Sequence, residues 1–350
     1  MAERSHSTSH GHRKCRCLDM HAHYVGKRVV DRVEAEGATH AIGIDRAADG
    51  TARFAVGGRL TGMPILPTLT DDAARLVWMD TAGIDIQLVS GWMDLAAYHL
   101  PPEAGQWFAR VQNEALAELV NKRSDRFVAA AMVPLQAPER AAEELRYAVR
   151  ELGHRAVQIG ARVEEEGLDA AGFDPFWRVA EELNVPVIVH PADINVPPRL
   201  RRLFLHILVG NPSETTFAAA ALLLGGVFDR FPGLRVLLVH GGGCVPYQFG
   251  RIGRGQVAAP AFARGAAKRN IASYAPNLYF DSVLHDDAAL RYLIQTAGAD
   301  HVVLGSDHPF PLQDPDPVNS LMKLEGLQSS DLQAICWDTG AGLLGLTAAP

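Results

Sequence analysis

Cysteine is scarce: Cys15, Cys17, Cys244 and Cys336 are the only four in 350 residues, too few and too scattered for a disulfide framework. Positive charge is also in deficit. Against 40 Asp and Glu stand 33 Lys and Arg, a formal net charge of −7, which argues against a nucleic-acid or anionic-membrane surface because either calls for a clustered basic face. No apolar run approaches the roughly 20 residues that span a bilayer. Residues 1–14 are polar and rich in His and Ser, where a signal peptide needs an apolar centre. These absences predict a cytoplasmic protein whose partner is a small molecule. A Gly-x-Gly-x-x-Gly fingerprint is missing after the first strand-like segment, which counts against a doubly wound dinucleotide-binding sheet.

Hydrophobic residues make up 48% of the chain, enough to bury a substantial core. No Pro/Gly/Ser linker or charge run divides it, so residues 15–350 are expected to form one domain behind a disordered tail, residues 1–14. His6, His10, His12, Cys15 and Cys17 could be read as a second metal site, but Cys-x-Cys is tight for zinc and a solvated His/Ser-rich tail up to about Lys14 is the better reading. Strands are predicted at Cys15–Met20, Ile84–Val89, Phe127–Val133, Ala156–Ile159, Pro186–Val189, Arg235–Val239, Leu278–Phe280 and His301–Leu304. Amphipathic stretches alternate with them: Asp71–Ala82, Glu103–Ser124, Pro138–Leu152, Asp174–Leu183, Ser213–Phe231 and Asp286–Ala297. Ser213 with Glu214 suits an N-terminal cap, and Gly153, Gly233 and Gly298 suit positions just past helix ends. Eight strands alternating with helices predict an α/β fold, a (β/α)8 barrel. Residues 24 to about 70, rich in Gly and Pro, read as an insertion or lid after the first strand, with short strands of its own at most.

Several of these strands run into a metal ligand or proton carrier. His21 and His23 follow the first, His190 the fifth, His240 the sixth and Asp307 the eighth. In such a barrel the carboxyl ends of the strands converge on the active site. His21 and His23, two apart in an extended chain, point the same way. Three neutral imidazoles and a carboxylate suit a divalent ion such as zinc, with a position left for water or substrate. His240 opens the run His240-Gly241-Gly242-Gly243, whose missing side chains would let substrate approach the ring. Its role is open between a proton carrier and a further ligand, and the proton carrier is favoured.

These residues, with Val133-Pro134-Leu135-Gln136-Ala137-Pro138-Glu139, Val189-His190-Pro191, Glu214-Thr215-Thr216 and Leu304-Gly305-Ser306-Asp307-His308-Pro309-Phe310-Pro311-Leu312, resemble the amidohydrolase superfamily. The similarity is greatest to its aminocarboxymuconate-semialdehyde decarboxylase (ACMSD)-like family and runs from about Asp19 to about Gly345. That resemblance implies a distorted barrel with a small insertion and nonoxidative decarboxylation of a small unsaturated or aromatic carboxylic acid. The acid would react with a metal-bound water or as a metal-chelated substrate. It implies a metal held by His21, His23, His190 and Asp307, most simply Zn2+, with Mn2+ as the variant used by aromatic-acid members. His240 would be the acid/base and Asp307 would serve the chemistry as well as the metal. It also implies a homodimer in which Arg251 reaches a substrate carboxylate across the subunits. Departures fall around the substrate. Met63 stands near the place of a substrate-gripping arginine, Ala192 before Asp193 replaces a usual tryptophan, His206 a proline and His308 a tyrosine. Met63, His206, Phe310 and Arg251 are therefore the expected substrate contacts, and an acid other than the semialdehyde is expected. The alternative on the same barrel is a hydrolase of an ester, lactone or amide, or a hydratase. Gln158 on the fourth strand, in place of a carbamylated lysine, favours one metal over two.

Overall fold

The computed structural model describes residues 15–192 and 196–346. The predicted tail with His6, His10 and His12, and also Asp193, lie outside the described residues. Eight parallel strands follow one another around a barrel, the first to the eighth in chain order: Leu18–His23, Ile86–Ser90, Phe127–Met132, Ala156–Gly160, Val187–His190, Val236–Leu238, Leu278–Asp281 and Val302–Val303. Each neighbours its successor, as helical crossovers between parallel strands demand. The eighth strand meets the first without a regular ladder. Met20 N–H donates to Leu304 O (2.8 Å), Asp307 N–H to His21 O (2.8 Å) and His23 N–H to His308 O (2.7 Å). The seam of the barrel thus runs through two of the segments singled out for chemistry.

All eight predicted strands are present, with shifted ends. The first starts at Leu18, not Cys15, and runs through His23, because Ala22 and His23 still pair with Val89 and Ser90 of the second strand. Its register slips between Asp19 and Ala22. Asp19 is thereby left against Gln87 and Ser306, while His21 and His23 turn to the site. Below the site, Leu18, Met20, Leu88, Val128, Ala130, Ala156, Ile188, Leu237, Val239 and Val303 pack together, filling the barrel with apolar side chains from successive strands.

The crossover helices include Asp72–Ala82, Pro102–Lys122, Pro138–Arg150, Asp174–Glu182 and Asp287–Ala297. Asp71 and Asp286 cap two of them by accepting from Ala74 N–H (2.9 Å) and Ala289 N–H (2.8 Å). Ser213 is not a cap. The helix begins upstream, as a π turn at His206–Gly210 running into Asn211–Leu224, and the Ser213 hydroxyl donates back to Val209 O (2.7 Å). The predicted Ser213–Phe231 helix is also broken. Gly226, at φ 70°, separates Asn211–Leu224 from the short helix Val227–Arg230. Together His206–Leu224 make one 19-residue helix long and apolar enough, by length and composition, to cross a membrane, contrary to the expectation from the sequence. Thr215, Ala218, Ala219, Leu222 and Leu223 are buried in the barrel wall, while Leu208, Val209 and Phe217 are exposed.

The insertion carries more than short strands. It holds the helix Lys27–Glu36 and a three-stranded antiparallel sheet, Ile42–Arg46, Ala52–Val56 and Arg59–Leu60. That helix escapes a reading by periodicity because Val29 and Val33 are its only buried residues and most of its other side chains are charged. Val29, Val33, Ile42, Phe54 and Val56 pack with Trp92, Leu95 and Phe108, and half-buried Met63 and Phe310 join them. The insertion is thus fixed against the barrel mouth.

Candidate active site

His21, His23, His190, His240 and Asp307 come together at the carboxyl ends of the strands. The four imidazole rings lie 4.7–5.3 Å apart between the centroids of neighbouring pairs. His21, His190, His240 and Asp307 each offer a ligand atom within 4.8 Å of the others. His23 closes the group, its Nε2 3.3 Å from His21 Nε2 and 3.2 Å from Asp307 Oδ1. His240 and Asp307 turn off their strands with left-handed backbones, φ 55° and 61°, a conformation that costs a non-glycine residue of order 1 kcal/mol or more and clusters at functional sites.

Second partners fix which ring nitrogen faces inward. His21 Nδ1 lies 2.6 Å from Asp281 Oδ2, His23 Nδ1 3.2 Å from Gly91 O and His190 Nδ1 2.6 Å from Pro191 O. Each of these oxygens only accepts, so each Nδ1 carries the proton and each Nε2 presents a lone pair. Three lone pairs and a carboxylate oxygen therefore converge. His190 Nε2 and Asp307 Oδ1 are buried without a hydrogen-bond partner. Orphaned acceptors facing one another in a buried site repel unless a cation lies between them, so the donor set fits a divalent ion. His240 joins the cluster from the side of the other carboxylate oxygen, its Nε2 3.6 Å from Asp307 Oδ2 and its ring 5.2–5.3 Å from those of His21 and His190, and unlike those two rings its buried Nδ1 has no hydrogen-bond partner.

Electrostatics agree with this arrangement. Burial, reinforced by its neighbouring imidazoles, holds His190 well below the ordinary histidine value. His23 is also lowered, chiefly by burial. Burial acts on His21 in the same direction but is outweighed by Asp307, Asp281 and Asp19, so His21 is raised. For Asp307 the desolvation cost is overcome by His21, His23 and His240, and its carboxyl falls well below the usual range. Asp19, buried behind the site, is pushed up to about 6 by desolvation, against hydrogen bonds from Ser306 and Gln87. Arg75, fully buried and brought down to about 10 by burial, donates to Gln87 Oε1 (2.7 Å) and His23 O (2.5 Å). It braces the first strand from behind.

Above this floor lies a cavity of about 300 Å3. Met63, Trp92, Phe204, Leu284 and Phe310 are among its walls, Asp94 and Asn211 add polar groups, and among the described residues no Lys or Arg lines it. Met63 and Phe310 thus stand where substrate contacts were expected, with Phe310 also 5.1 Å from the His23 ring. His206 does not. Phe204, Ile207 and Leu208 form the wall at that turn, and the His206 ring packs edge-on against Phe204 (5.3 Å). Arg251 is exposed on the helix Val245–Ala258 and is absent from this chain's cavity lining. His308 is buried beside the floor, stacked on Trp78 at 3.8 Å, with Nδ1 2.7 Å from Gln313 Oε1. Burial keeps it neutral, its pKa brought down to about 3.

The glycines after His240 serve backbone geometry more than open access. Gly241, Gly242 and Gly243 all have positive φ, and a Cβ on Gly243 would meet Pro212 O at 2.0 Å. Asp281 is the functional residue that the sequence reading missed. It accepts from both His21 Nδ1 and Gly241 N–H (2.7 Å), linking the first and sixth strand ends. The signal was present, since Asp281 ends an apolar strand as the histidines do, but the predicted strand stopped at Phe280. Gln158 is buried and tied to Ser90 Oγ (2.7 Å) and Gly91 O (2.9 Å), so the fourth strand adds no ionisable ligand.

A barrel with this floor defines a metal-dependent enzyme class, and the comparisons with known proteins specify it. The amidohydrolase family model matches residues 18–346, and the chain belongs to that family. It is 29% identical over 329 residues, 94% of this chain and 91% of the relative, to 2-amino-3-carboxymuconate-6-semialdehyde decarboxylase of Dictyostelium discoideum. Gamma-resorcylate decarboxylase of a Rhizobium species is 32% identical over 257 residues, 67% of this chain and 76% of the relative. A crystal structure of dihydroxybenzoic acid decarboxylase from Polaromonas, with bound manganese and the inhibitor 2-nitroresorcinol, superposes with a TM-score of 0.75 at 24% identity. It covers 96% of this chain and 98% of that one.

Proposed function

We propose that this chain, a carboxy-lyase of the amidohydrolase superfamily, is a metal-dependent nonoxidative decarboxylase acting on a small unsaturated or aromatic carboxylic acid. The observation that carries the reading is the convergence of three imidazole lone pairs and Asp307 Oδ1 at the floor of a largely apolar cavity. His21, His23, His190 and Asp307 would hold the ion, and the three-imidazole set favours zinc. A bound divalent ion supplies Lewis acidity to the acid end of the substrate. Trp92, Phe204 and Phe310 offer aromatic surface to a planar acid. As the bond to the carboxylate carbon breaks, carbon dioxide leaves and the electron pair stays on the substrate carbon. His240, on the far oxygen of Asp307, delivers the proton that this carbon takes up, and solvent replenishes the ring.

The same reading includes a homodimer. Exposed Leu208, Val209, Phe217, Tyr247 and Val257 offer an apolar surface. Arg251, four residues beyond Tyr247 on one helix, is the cation this chain's own cavity lacks. Mixing Arg251→Ala with Asp307→Ala subunits should restore activity in the heterodimer; no restoration would remove Arg251 from the neighbouring site.

Carbon dioxide release tests the function. The metal-loaded protein should release it from at least one acid in a panel of enol, muconate-like and hydroxy-aromatic carboxylates, with Zn2+ supporting turnover at least as well as Mn2+. His240→Ala should keep its ion and lose about 100-fold or more of that turnover. Cleavage of esters, lactones or amides without carbon dioxide release would sink the decarboxylase reading, and better turnover with Mn2+ would sink the choice of zinc.

A further inference from the structure

Three of the four cysteines meet at the opposite end of the barrel. Cys15 and Cys17 enter the first strand, and Cys336 lies in the π turn Ala334–Asp338 near the end of the chain. Their Sγ atoms all lie within 4.8 Å of one another. Cys-x-Cys is a tight pair for one ion, but the turn supplies a third thiol from 319 residues away (336 − 17). Cys17 and Cys336 are buried, and Cys15 is half-buried, which leaves a path from solvent.

The scaffold around the thiols is fixed. Cys17 N–H donates to Asp85 Oδ2 (2.8 Å), while Cys17 O accepts from Asp85 N–H (2.9 Å) and Ile86 N–H (3.2 Å). The turn is held to the eighth strand by Leu304 N–H donating to Ile335 O (3.0 Å). π turns concentrate at functional sites. Arg16, between the two cysteines in sequence, stacks over Trp337, the residue after Cys336, at 4.4 Å and so ties the two segments together. Hydrogen bonds to Cys17 and Cys15, together with burial, raise the Cys336 thiol. Four residue steps along the chain take Cys17 to His21, about 13 Å at the usual rise, so this group is distinct from the barrel floor.

We propose that Cys15, Cys17 and Cys336 form a second metal site, a three-thiolate clip for a soft d10 cation such as zinc or copper(I). Tetrahedral zinc–sulfur bonds of 2.3 Å place the sulfurs about 3.8 Å apart, so with all Sγ atoms within 4.8 Å of one another closing the site needs no more than about 1 Å of movement between any pair. As each S–metal bond forms, one S–H bond breaks and its proton goes to solvent, three protons per ion, with no change of oxidation state. The clip joins the start of the first strand to the turn behind the eighth, across the seam where the regular ladder fails. Its role is to hold the barrel closed, independently of decarboxylation.

The test uses the full-length reduced protein without oxygen, titrated with Cd2+, Zn2+ and copper(I) in separate arms. Cd2+ should give a thiolate-to-metal charge-transfer band at one equivalent, retained in Cys244→Ser, because Cys244 lines the cavity and takes no part. In Cys15→Ser, the partly exposed member and the least disruptive change, the band should be lost and bound metal should fall by one ion per chain. Decarboxylation and the ion at the floor should be unchanged, and the melting temperature should no longer rise with added metal. The zinc and copper(I) arms decide the ion by which one survives competition with a chelator of matched affinity. No band at one equivalent, or a band that persists in both Cys15→Ser and Cys336→Ser, would overturn the proposal. So would a mass two hydrogens light in the native protein with no metal uptake, which would mean a disulfide.

Discussion

At the floor of the cavity, His21, His190, His240 and Asp307 offer ligand atoms within 4.8 Å of one another and His23 lies against His21 and Asp307, each held by a second partner or by strained backbone, while the wall is assembled largely from apolar side chains on loops, the insertion and the turn before Asn211. Floor atoms are positioned by strands whose register is shared around the barrel. Wall atoms are positioned by the loops, by the insertion packed on the barrel mouth and by the turn before Asn211. Chemistry and substrate choice are thus stored in separate structural parts. The wall can be rebuilt without moving an imidazole, whereas altering any floor residue leaves another buried polar atom without its partner.

The largest effect is expected of Asp307→Ala. It removes the carboxylate that His21, His23 and His240 all face, so the protein should lose its floor ion by elemental analysis and all measurable turnover with it. Full occupancy would remove Asp307 from the ligand set.

A second break compares the floor histidines with one equally buried elsewhere. His154, 1% exposed, has neither ring nitrogen in a full hydrogen bond, although the Leu152 and Asn113 carbonyls pull slightly the other way. Burial lowers it to about 4 from 6.5. A folded-state pKa below the unfolded one gives stability that is complete above pH 6.5 and is lost as pH falls towards 4, up to about 3 kcal/mol. His154→Phe keeps a ring of similar size and cannot titrate. Between pH 7 and pH 4.5 its urea-unfolding free energy should fall by about 2–3 kcal/mol less than that of the unsubstituted protein. An equal fall in the two would show that His154 is not the titrating group.

The floor was readable from sequence because each of its residues ends or follows an apolar strand, and the parallel order of the strands brings those ends together. All eight barrel strands were found for the same reason. What escaped depends on contacts no local pattern carries. The continuation of the first strand through His23 is set by pairing with Ser90. At the π turn His206–Gly210 the polar ring lies against Phe204 while Ile207 and Leu208 line the cavity, an arrangement no local pattern in the sequence announces. The insertion helix lacked a wide apolar stripe because its core is completed by Trp92 and Phe108 from elsewhere in the chain. Cys336 could not be joined to Cys15 and Cys17 until the barrel closed.

Finer changes separate floor from wall by degree. Asp281→Asn keeps the shape but removes the charge that Asp281 sets against His21, and should weaken metal binding by about 10–100-fold, the usual effect of an outer-shell partner. Metal competition would read the change directly, and unchanged affinity would reduce Asp281 to a packing role. Met63→Ala should do the reverse. Met63 lines the cavity and contributes to the insertion core without a polar contact to the floor from its side chain, so metal content should stay at the unsubstituted level. Preference between two acids differing by a ring substituent should shift by about 1–3 kcal/mol in relative kcat/KM, the range for adding or removing a small apolar contact. If Met63→Ala instead lost metal, floor and wall would be mechanically coupled through the insertion, and the independence of chemistry from substrate choice would fail at that contact.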